Sequence, residues 1–423
     1  MSARARVLLC GLAVAGIHVV AAAQAVLPEQ NATTGALSAL PPEASVRRVL
    51  ENLPQFRLGG AAKALAAAEQ EKLLAGPYEW TVRSSVNART VSGAGRYTEQ
   101  DIALERTVRW FGKADQDSAV GRKGVDVAHA RFADLWHEAA RTLLKDWFDA
   151  LRDRAALARL QEQRQVAREL HEVTMRRVRA GDGAALEQQL AATEVRRIDA
   201  LSLQAQQRLE LSLAQLDITY VGLPTPQASQ LPLPQADVQG AQYWYKKILS
   251  DNHELELAQA EADLSALRAR RIASDRMPDP TLAIRAARER DGQERLIGLT
   301  VSIPLPGAAR SADALAAAIK ARAAADQVSQ AQTRVRTMAM RAVIDATRTY
   351  EIWQSLHDIE TQSMHQAQLL LRAYEGGEGS LADVLAARRR ALEAALLAQA
   401  AQIDALAAFA RVRLDAHMIW AID

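Results

Sequence analysis

The stretch LLLRAYEGGEGSLADVLAARRR, residues 369–390, lies in the middle of the segment that decides the fold. Upstream, residues 308–374 contain neither proline nor glycine and are rich in Ala, Arg, Gln, Leu and Glu, which favour helix. A helix of that length would extend about 100 Å at 1.5 Å per residue. The sequence therefore predicts a long helix over 308–374, a tip at 375–380 and a return helix over 381–414. Gly would close the first helix and Ser380 would cap the second.

The same unit occurs in the first half of the chain. Residues 119–180 again favour helix, residues 181–183 form a glycine tip, and residues 184–219 form the return helix. Placing Gly181 on Gly377 gives an offset of 196 residues, 377 minus 181. Three further pairs align at that offset without a gap: Gly183 with Gly379, Glu187 with Asp383, and Ala191 with Ala387. The chain is therefore predicted to be a tandem duplication, because self-similarity at a fixed spacing marks a repeated structural unit.

The duplication sets the predicted domain boundaries. The first repeat covers 43–220 and the second covers 241–423, and each begins with short helices. A Pro-rich linker at 221–240 joins them and is expected to be extended. Residues 1–25 have a basic start, an apolar run and small residues at their end, which is the pattern of a cleaved export signal. Residues 26–42 are predicted to be an extended lead-in.

Between the short helices and the long helix, each repeat changes to period-two alternation, which is typical of a strand with two different faces. The sequence predicts β-hairpins over 78–111 and 281–305, with a turn at 92–98 in the first. Strands of this length cross a membrane when they are tilted. The residues predicted to share the lipid-facing side are Tyr78, Trp80, Val82, Val86, Ile102, Leu104, Val108, Trp110, Leu282, Ile284, Ile297, Leu299, Val301, Ile303 and Leu305.

The strands bear on the oligomeric state. Four strands cannot close a barrel, and a bilayer excludes open sheet edges. If these strands lie in lipid, several copies of the chain must pool them. The fold class is thus mainly α with four membrane strands, built from duplicated long helical hairpins. The alternative is a small water-exposed sheet that caps the helices.

Composition narrows the functional classes. The chain has 423 residues, a net charge of +2 and one cysteine, Cys10, which lies in the export signal. Such a balanced charge does not indicate a nucleic-acid surface. No sequence motif assembles a nucleophile, a base and an oxyanion site, so neither an enzyme activity nor a cofactor is predicted. No metal site is predicted either. The pairs His129/His137 and His357/His365 are eight residues apart, about 80° out of register on a helix.

The layout resembles the TolC-like outer-membrane efflux family over essentially the whole mature chain. The two tips carry the most specific motifs. Residues 377–387, GEGSLADVLAA, are similar to the family's pattern of a glycine followed six residues later by Asp, then a small or branched pair and an Ala. Residues 181–187 are a looser version with Glu in place of Asp. The segments PDP at 278–280 and IPLPG at 303–307 are similar to the divalent-metal, Czc-type subgroup.

This resemblance implies a homotrimer whose twelve pooled strands form an outer-membrane β-barrel, continuous with an α-barrel through the periplasm. The protein would be the channel component of a tripartite efflux system, a passive conduit for substrate delivered by an inner-membrane pump of the RND type and a periplasmic adaptor protein. Outer-membrane lipid would surround the strands. By the same resemblance Asp383 would be a gate residue, and the adaptor would dock on Gly181, Gly183, Glu187, Gly377, Gly379 and Ser380.

Two other classes of protein are open at this point. A periplasmic adaptor also contains a coiled-coil hairpin, but it would have a single hairpin flanked by lipoyl-like β sequence. A coiled-coil scaffold protein without a membrane barrel would need neither the paired strands nor an export signal.

Overall fold

The computed structural model describes residues 37–229 and 231–422. The predicted export signal, 1–25, and the greater part of the lead-in, 26–42, lie outside the described residues. The described elements follow one order twice: two shorter helices, a β-hairpin, a long helix and a return helix. Their bounds are α1 Glu43–Asn52, α2 Pro54–Ala75, β1 Thr81–Val91, β2 Gly95–Thr107, α3 Lys113–Arg179, α4 Ala185–Thr219, α5 Ala241–Ser250, α6 His253–Ala273, β3 Thr281–Glu289, β4 Glu294–Ser302, α7 Ala308–Glu375 and α8 Leu381–Asp415.

The first hairpin begins and ends at different residues from those predicted, and local geometry gives the reason. Gly93 and Gly95 have φ values of +80° and +101°, which close a tight turn, so β2 begins at Gly95 rather than near 100. Such φ values favour glycine because it has no Cβ. At its other end β2 stops at Thr107 rather than 111. Beyond it, the Trp110 N–H donates to the Asp279 carboxylate at 2.8 Å, outside the strand ladder.

Helix α3 begins at Lys113, earlier than the predicted start at 119. The helix continues through Gly121 without interruption. At that position α2 comes very close: a Cβ on Gly121 would lie 3.2 Å from the Cα of Gln70. Gly121 therefore serves the packing of two helices and does not end one.

The long helices form a wall of four columns. Helices α2 and α4 both pack on α3, α2 near Gly121 and Phe132, and α4 near Leu160. Helices α6 and α8 pack on both α3 and α7. These contacts give the column order α2 with α4, then α3, then α6 with α8, and finally α7. The α2/α4 column and α7 are thus the two free edges of the wall.

The free edges carry apolar side chains that the inner columns lack. Among the described residues of α3, α6 and α8, the exposed large apolar side chains are Val173 and Leu397. Rows of such side chains along a surface mark a place where another molecule packs. Helix α7 exposes Leu315, Ile319, Met340, Ile344, Ile352, Ile359, Met364 and Leu369, and the α2/α4 column exposes Leu58, Leu65, Leu74, Leu186, Leu203, Leu211 and Ile218.

The largest buried cluster lies where α1, α3, the linker and the end of α8 meet. Trp136, Trp147 and Phe148 of α3 are at its centre, each at most 5% exposed. The indole N–H of Trp136 donates to the Trp420 carbonyl at 2.8 Å, and that of Trp147 donates to the Ala39 carbonyl at 2.8 Å. Both ends of the described chain are therefore fixed to the middle of the wall.

Helix α8 is long and apolar enough to pass as a membrane span by length and composition alone. In the described chain it packs on α3 and α7, and much of its apolar surface is buried there. Small residues such as Ala391, Ala395 and Ala398 occupy the contacts. Because alanine lets two helices approach closely, the apolar content of α8 is accounted for by packing within the wall.

Candidate functional site

The four strands form one antiparallel sheet in the order β1-β2-β3-β4. The hairpin of each repeat contributes two neighbouring strands, and the pairing of β2 with β3 joins the repeats, with Leu104 opposite Ile284. Because directly opposed residues point to the same side of a sheet, the register defines two faces.

One face of the sheet is apolar over its middle part. Leu104 lies between Val82 on β1 and Ile284 on β3, and Ile284 lies opposite Leu299 on β4. These side chains are between 41% and 81% exposed, so nothing in the described chain covers them. The predicted residues that this face brings together are Val82, Val86, Ile102, Leu104, Leu282, Ile284, Ile297, Leu299 and Val301.

Six residues predicted for the lipid-facing side lie outside the strands: Tyr78, Trp80, Val108, Trp110, Ile303 and Leu305. The period-two pattern of the sequence thus continues past the ends of the hydrogen-bonded ladder. Tyr78 differs most from its predicted lipid-facing position. Its hydroxyl donates to Asp279 at 2.7 Å, in the segment that connects the sheet to the helices. Trp80 remains exposed, and the guanidinium of Arg106 lies 5.4 Å from its ring centre.

The opposite face of the sheet is polar and crossed by ion pairs. Arg83 pairs with Glu105 at 2.8 Å, and Arg285 pairs with Asp101 at 2.9 Å. Asp101 also accepts a hydrogen bond from the Ser85 hydroxyl at 2.6 Å. The sheet therefore separates an apolar surface from a hydrophilic one, and its outer strands β1 and β4 have no further strand beside them in the described chain.

A buried charge network connects the sheet to the helices. We call it the junction, and it comprises Tyr78, Arg109, Lys113, Asp117, Arg271, Asp275 and Asp279. Lys113 is only 2% exposed, and its ammonium contacts Asp279 at 2.8 Å and Asp275 at 2.9 Å. Asp117 binds Arg109 from the first repeat and Arg271 from the second. The junction thus ties both repeats together at the base of the sheet.

The junction shifts the pKa values of Asp279 and Tyr78. Burial works to raise the carboxyl pKa of Asp279, but hydrogen bonds from Lys113 and the Trp110 N–H outweigh it and hold the pKa below its usual value. Burial and the hydrogen bond to Asp279 raise the pKa of Tyr78 to about 12. Asp279 is therefore charged at neutral pH, and Tyr78 is a neutral donor to it.

The two tips have the same backbone geometry. At the end of α3, the Gly181 N–H donates to the Val178 carbonyl at 3.1 Å, and the Asp182 N–H donates to the Arg177 carbonyl at 2.9 Å. The end of α7 has the equivalent pair, from Gly377 to Tyr374 at 3.0 Å and from Glu378 to Ala373 at 2.8 Å. This pair of hydrogen bonds is typical of a helix that ends at a residue in the left-handed conformation. Gly181 and Gly377 are those residues, each with a φ of +82°.

Gly183 and Gly379, each two residues after a left-handed glycine, have a different role. A Cβ on Gly183 would lie 3.3 Å from the Val178 nitrogen, and a Cβ on Gly379 would lie 3.3 Å from the Tyr374 nitrogen. Each of these glycines therefore allows the returning chain to pass close to the end of the long helix. The duplicated sequence G-x-G thus encodes one turn, built twice.

The remaining tip residues stabilise the return helices and join the tips. The Ser380 hydroxyl accepts from the Asp383 N–H at 3.2 Å and contacts the Asp383 carboxylate at 2.7 Å, so it caps α8 as predicted. Asp383, the predicted gate residue, is exposed on the first turn of α8. Glu187 accepts from the Tyr374 hydroxyl at 3.4 Å, which connects the first tip to the second.

Three histidine side chains pack against one another where α3, α6 and the end of α8 come together. Their spacing in the sequence does not predict this cluster. His137 of α3, His253 of α6 and His417 after α8 have ring centres 4.5 to 6.0 Å apart. His137 is 3.3 Å from Asp415, whose carboxylate also binds Arg141. Neither ring nitrogen of His417 has a hydrogen-bond partner among the described residues. Burial, followed by the charges of the other two histidines, lowers the pKa of His417 to about 4.

The sequence and the structure were compared with those of known proteins. A scan of protein-family models found no match, and no curated protein matches the sequence. The outer-membrane channel CmeC of Campylobacter jejuni is 12% identical, with a TM-score of 0.72 over 92% of this chain and 88% of CmeC. VceC of Vibrio cholerae is 16% identical, with a TM-score of 0.67 over 89% of this chain and 95% of VceC.

A third structure, the open state of the MtrE outer-membrane channel of Neisseria gonorrhoeae, is 16% identical, with a TM-score of 0.68 over 90% of each chain. The chain has the TolC-like fold. TM-scores of 0.67 to 0.72 over 89–92% of the chain establish a shared fold, so the fold class predicted from the sequence is confirmed. In the TolC-like fold of this chain, the apolar sheet face and the glycine tips lie at opposite ends of α3 and α7, and the junction lies next to the sheet.

Proposed function

We propose that this protein is the outer-membrane channel component of a tripartite efflux system. It would be a passive conduit across the periplasm for substrate delivered by an inner-membrane pump. The observation that carries the proposal is the sheet, whose apolar face is uncovered, whose other face is ion-paired, and whose two edges are open. The likeness to solved outer-membrane channels supports it.

Ring closure follows from the edges. Open strand edges are not tolerated in hydrocarbon, so β4 of one copy must pair with β1 of the next. The helical wall also needs a neighbouring copy at each side, because its free edges, α7 and the α2/α4 column, both carry exposed apolar rows. We infer a homotrimer, in which three copies pool twelve strands, four from each chain. One rotation about a shared axis then satisfies the sheet and the wall together.

The two faces of the sheet would contact two different environments, lipid and water. The apolar face would contact the lipid of the outer membrane, and the ion-paired face would line an aqueous interior, as is usual for membrane barrels. Helices of 67 and 68 residues would carry that interior into the periplasm for about 100 Å. Transport would leave the substrate chemically unchanged, and the energy would come from the pump, of the RND type.

The apolar face is tested by two arginine substitutions on neighbouring residues of β4. Leu299→Arg places a charge in the middle of the apolar face, whereas Thr300→Arg places the same charge on the polar face. A lipid-facing arginine near the bilayer centre costs about 2–4 kcal/mol. We expect Leu299→Arg to lower the folding stability of the barrel in lipid vesicles by that amount, and Thr300→Arg to change it much less. Equal stabilities of the two variants would contradict the placement in lipid.

The tips are proposed to dock a periplasmic adaptor protein through Gly181, Gly183, Glu187, Gly377, Gly379 and Ser380. Gly181 and Gly377 each have nothing within 4 Å of the missing Cβ, so the backbone there is open to a partner. Both tips offer the same shape, which suits a repeated contact. Asp383 is proposed as a gate residue because its exposed carboxylate lies one turn from a tip.

Tip docking is tested by the double variant Gly181→Val/Gly377→Val. We expect loss of pump-dependent resistance with normal assembly in the outer membrane, because valine strains the left-handed turns and covers the docking backbone. The matched control is Gly93→Val/Gly292→Val, which alters two open glycines with φ of +80° and +92° in the hairpin turns at the other end. Normal efflux in the tip variant, or equal loss in the control, would count against docking at the tips.

A further inference from the structure

Two directly opposed arginines interrupt the apolar face at the end of the sheet that is distant from the helices, and Arg96 on β2 lies farther along the same face. Arg288 on β3 and Arg295 on β4 are directly opposed, and the register puts both on the same face as Ile284 and Leu299. Both are exposed. Like charges that face each other across a strand pair destabilise a sheet, so this arrangement needs an explanation.

No carboxylate neutralises this pair in the described part of the chain. Arg83, Arg89 and Arg285, on the opposite face, each have an acidic partner within 3.2 Å. Arg288 and Arg295 have neither an ion pair nor a hydrogen bond from their side chains among the described residues. The nearest acidic pair, Glu289 opposite Glu294, points to the polar face.

A neighbouring copy does not supply the missing charge either. In the ring proposed above, β4 pairs with β1 of the next chain. The sequence of β1, TVRSSVNARTV, contains no aspartate or glutamate. The anion that satisfies the two arginines must therefore come from outside the protein strands beside them.

The position of the pair along the sheet indicates the source of that anion. Arg288 lies six residues beyond Leu282 on β3, which is about 20 Å along the strand at 3.4 Å per residue. Membrane strands are tilted by about 35–45°, so this length spans about 15 Å of an apolar band that is about 25 Å tall. The exposed side chains of Ile303 and Leu305 extend the apolar pattern toward the helices, so the pair lies near the turn-side boundary of the hydrocarbon. At the same level on β2 the face changes from Ile102 to Gln100, which is polar.

We propose that Arg288 and Arg295 bind a phosphate group of an anionic membrane lipid in the leaflet on the turn side of the sheet. The inference rests on the proposed membrane function. Two guanidinium groups on directly opposed residues can share one phosphate through paired hydrogen bonds, which a single ammonium does not match. The lipid phosphate cancels the repulsion between the arginines, and the acyl chains of the lipid lie against Ile284 and Leu299.

Binding is tested on the detergent-purified oligomer with native mass spectrometry. The probe is lipid A, a phosphorylated glycolipid, compared with its dephosphorylated form and with inorganic phosphate. At about fivefold in affinity for each basic residue near a lipid surface, Arg288→Gln/Arg295→Gln is expected to bind lipid A roughly thirtyfold more weakly. Arg288→Lys/Arg295→Lys is expected to retain part of the affinity, because it keeps the charge but loses the paired geometry.

The matched control is Arg83→Gln/Arg89→Gln, which removes two arginines from the polar face. It is expected to bind lipid A as the unaltered chain does. Equal binding by both glutamine variants, equal loss in both, or equal affinity for the dephosphorylated lipid would overturn the site. The site would also be overturned if inorganic phosphate, at the same concentration as lipid A, competed with lipid A for binding. If the glutamine double variant does not assemble, Arg295→Gln alone is compared with Arg89→Gln.

Failure of the lipid site and failure of the channel proposal give different results. A wild-type chain that does not insert into lipid vesicles overturns both. A wild-type chain that inserts and assembles, but whose lipid binding does not depend on Arg288 and Arg295, overturns the lipid site and leaves the channel proposal standing.

Discussion

Replacement of Lys113 by methionine is expected to lower the free energy of unfolding by about 3–5 kcal/mol, the usual cost of breaking a buried ion pair. The methylene chain would still pack, but Asp275 and Asp279 would lose the ammonium that lies 2.9 and 2.8 Å from them. Asp279 is itself buried, so its charge would have little water to replace the lost partner. The measurement is the denaturant midpoint of the assembled protein in detergent.

The control for this variant is Lys145→Met, which removes an exposed lysine paired with Asp149 on the same helix. Exposed pairs contribute at most about 1 kcal/mol, so little change is expected there. The double variant Lys113→Met/Asp279→Asn should recover part of the loss, because it removes the unpaired buried charge. A Lys113→Met protein as stable as the Lys145→Met protein would show that the junction does not hold the sheet on the helices.

Acidification from pH 7 to pH 4 is expected to destabilise the region where α3, α6 and the chain end after α8 meet. The pKa of His417 is about 4 in the folded protein and near 6.5 in an unfolded chain. A lowered pKa means that the unfolded state takes up the proton first. The stability that neutral His417 contributes to the folded protein is therefore complete above pH 6.5 and is lost as the pH falls to 4. The pKa of His137 is also lowered, mainly by burial, so it acts in the same direction.

The size of this effect follows from the same values. At 1.36 kcal/mol for each pKa unit, His417 alone would account for about 3 kcal/mol, and its partial exposure reduces this to about 2 kcal/mol. The measurement is the melting temperature of the assembled protein between pH 7 and pH 4. His417→Gln should flatten that dependence, whereas His365→Gln, at an exposed position, should not. An unchanged slope in His417→Gln would contradict the assignment.

The repeat and the tips could be predicted from the sequence because their signals are local. Glycine marks the left-handed turns at Gly181 and Gly377, and the absence of helix breakers marks α7. The apolar alternation of β4 depends on neighbours two residues apart, which a sequence displays directly. The observed helix α7 ends at Glu375, one residue from the predicted end at 374.

The junction and the histidine cluster could not be predicted, because their members are far apart in the chain. Lys113 and Asp279 lie 166 residues apart, 279 minus 113, in different repeats, and nothing near Lys113 distinguishes it from a surface lysine. His137, His253 and His417 come from three different elements. Tyr78 was placed on the apolar face because it continues the alternation, but its hydroxyl has a partner that only the fold brings near.

The exposed apolar rows on α7 and on the α2/α4 column have a consequence for genetics. In the proposed ring each copy would be completed by its neighbours, so a defective subunit that still assembles would spoil every ring it enters. In the proposed homotrimer, a cell that makes normal and defective subunits in equal amounts would have only about one wholly normal ring in every eight. Defects at the tips or in the lumen should therefore behave as dominant, whereas defects that prevent edge pairing should be recessive.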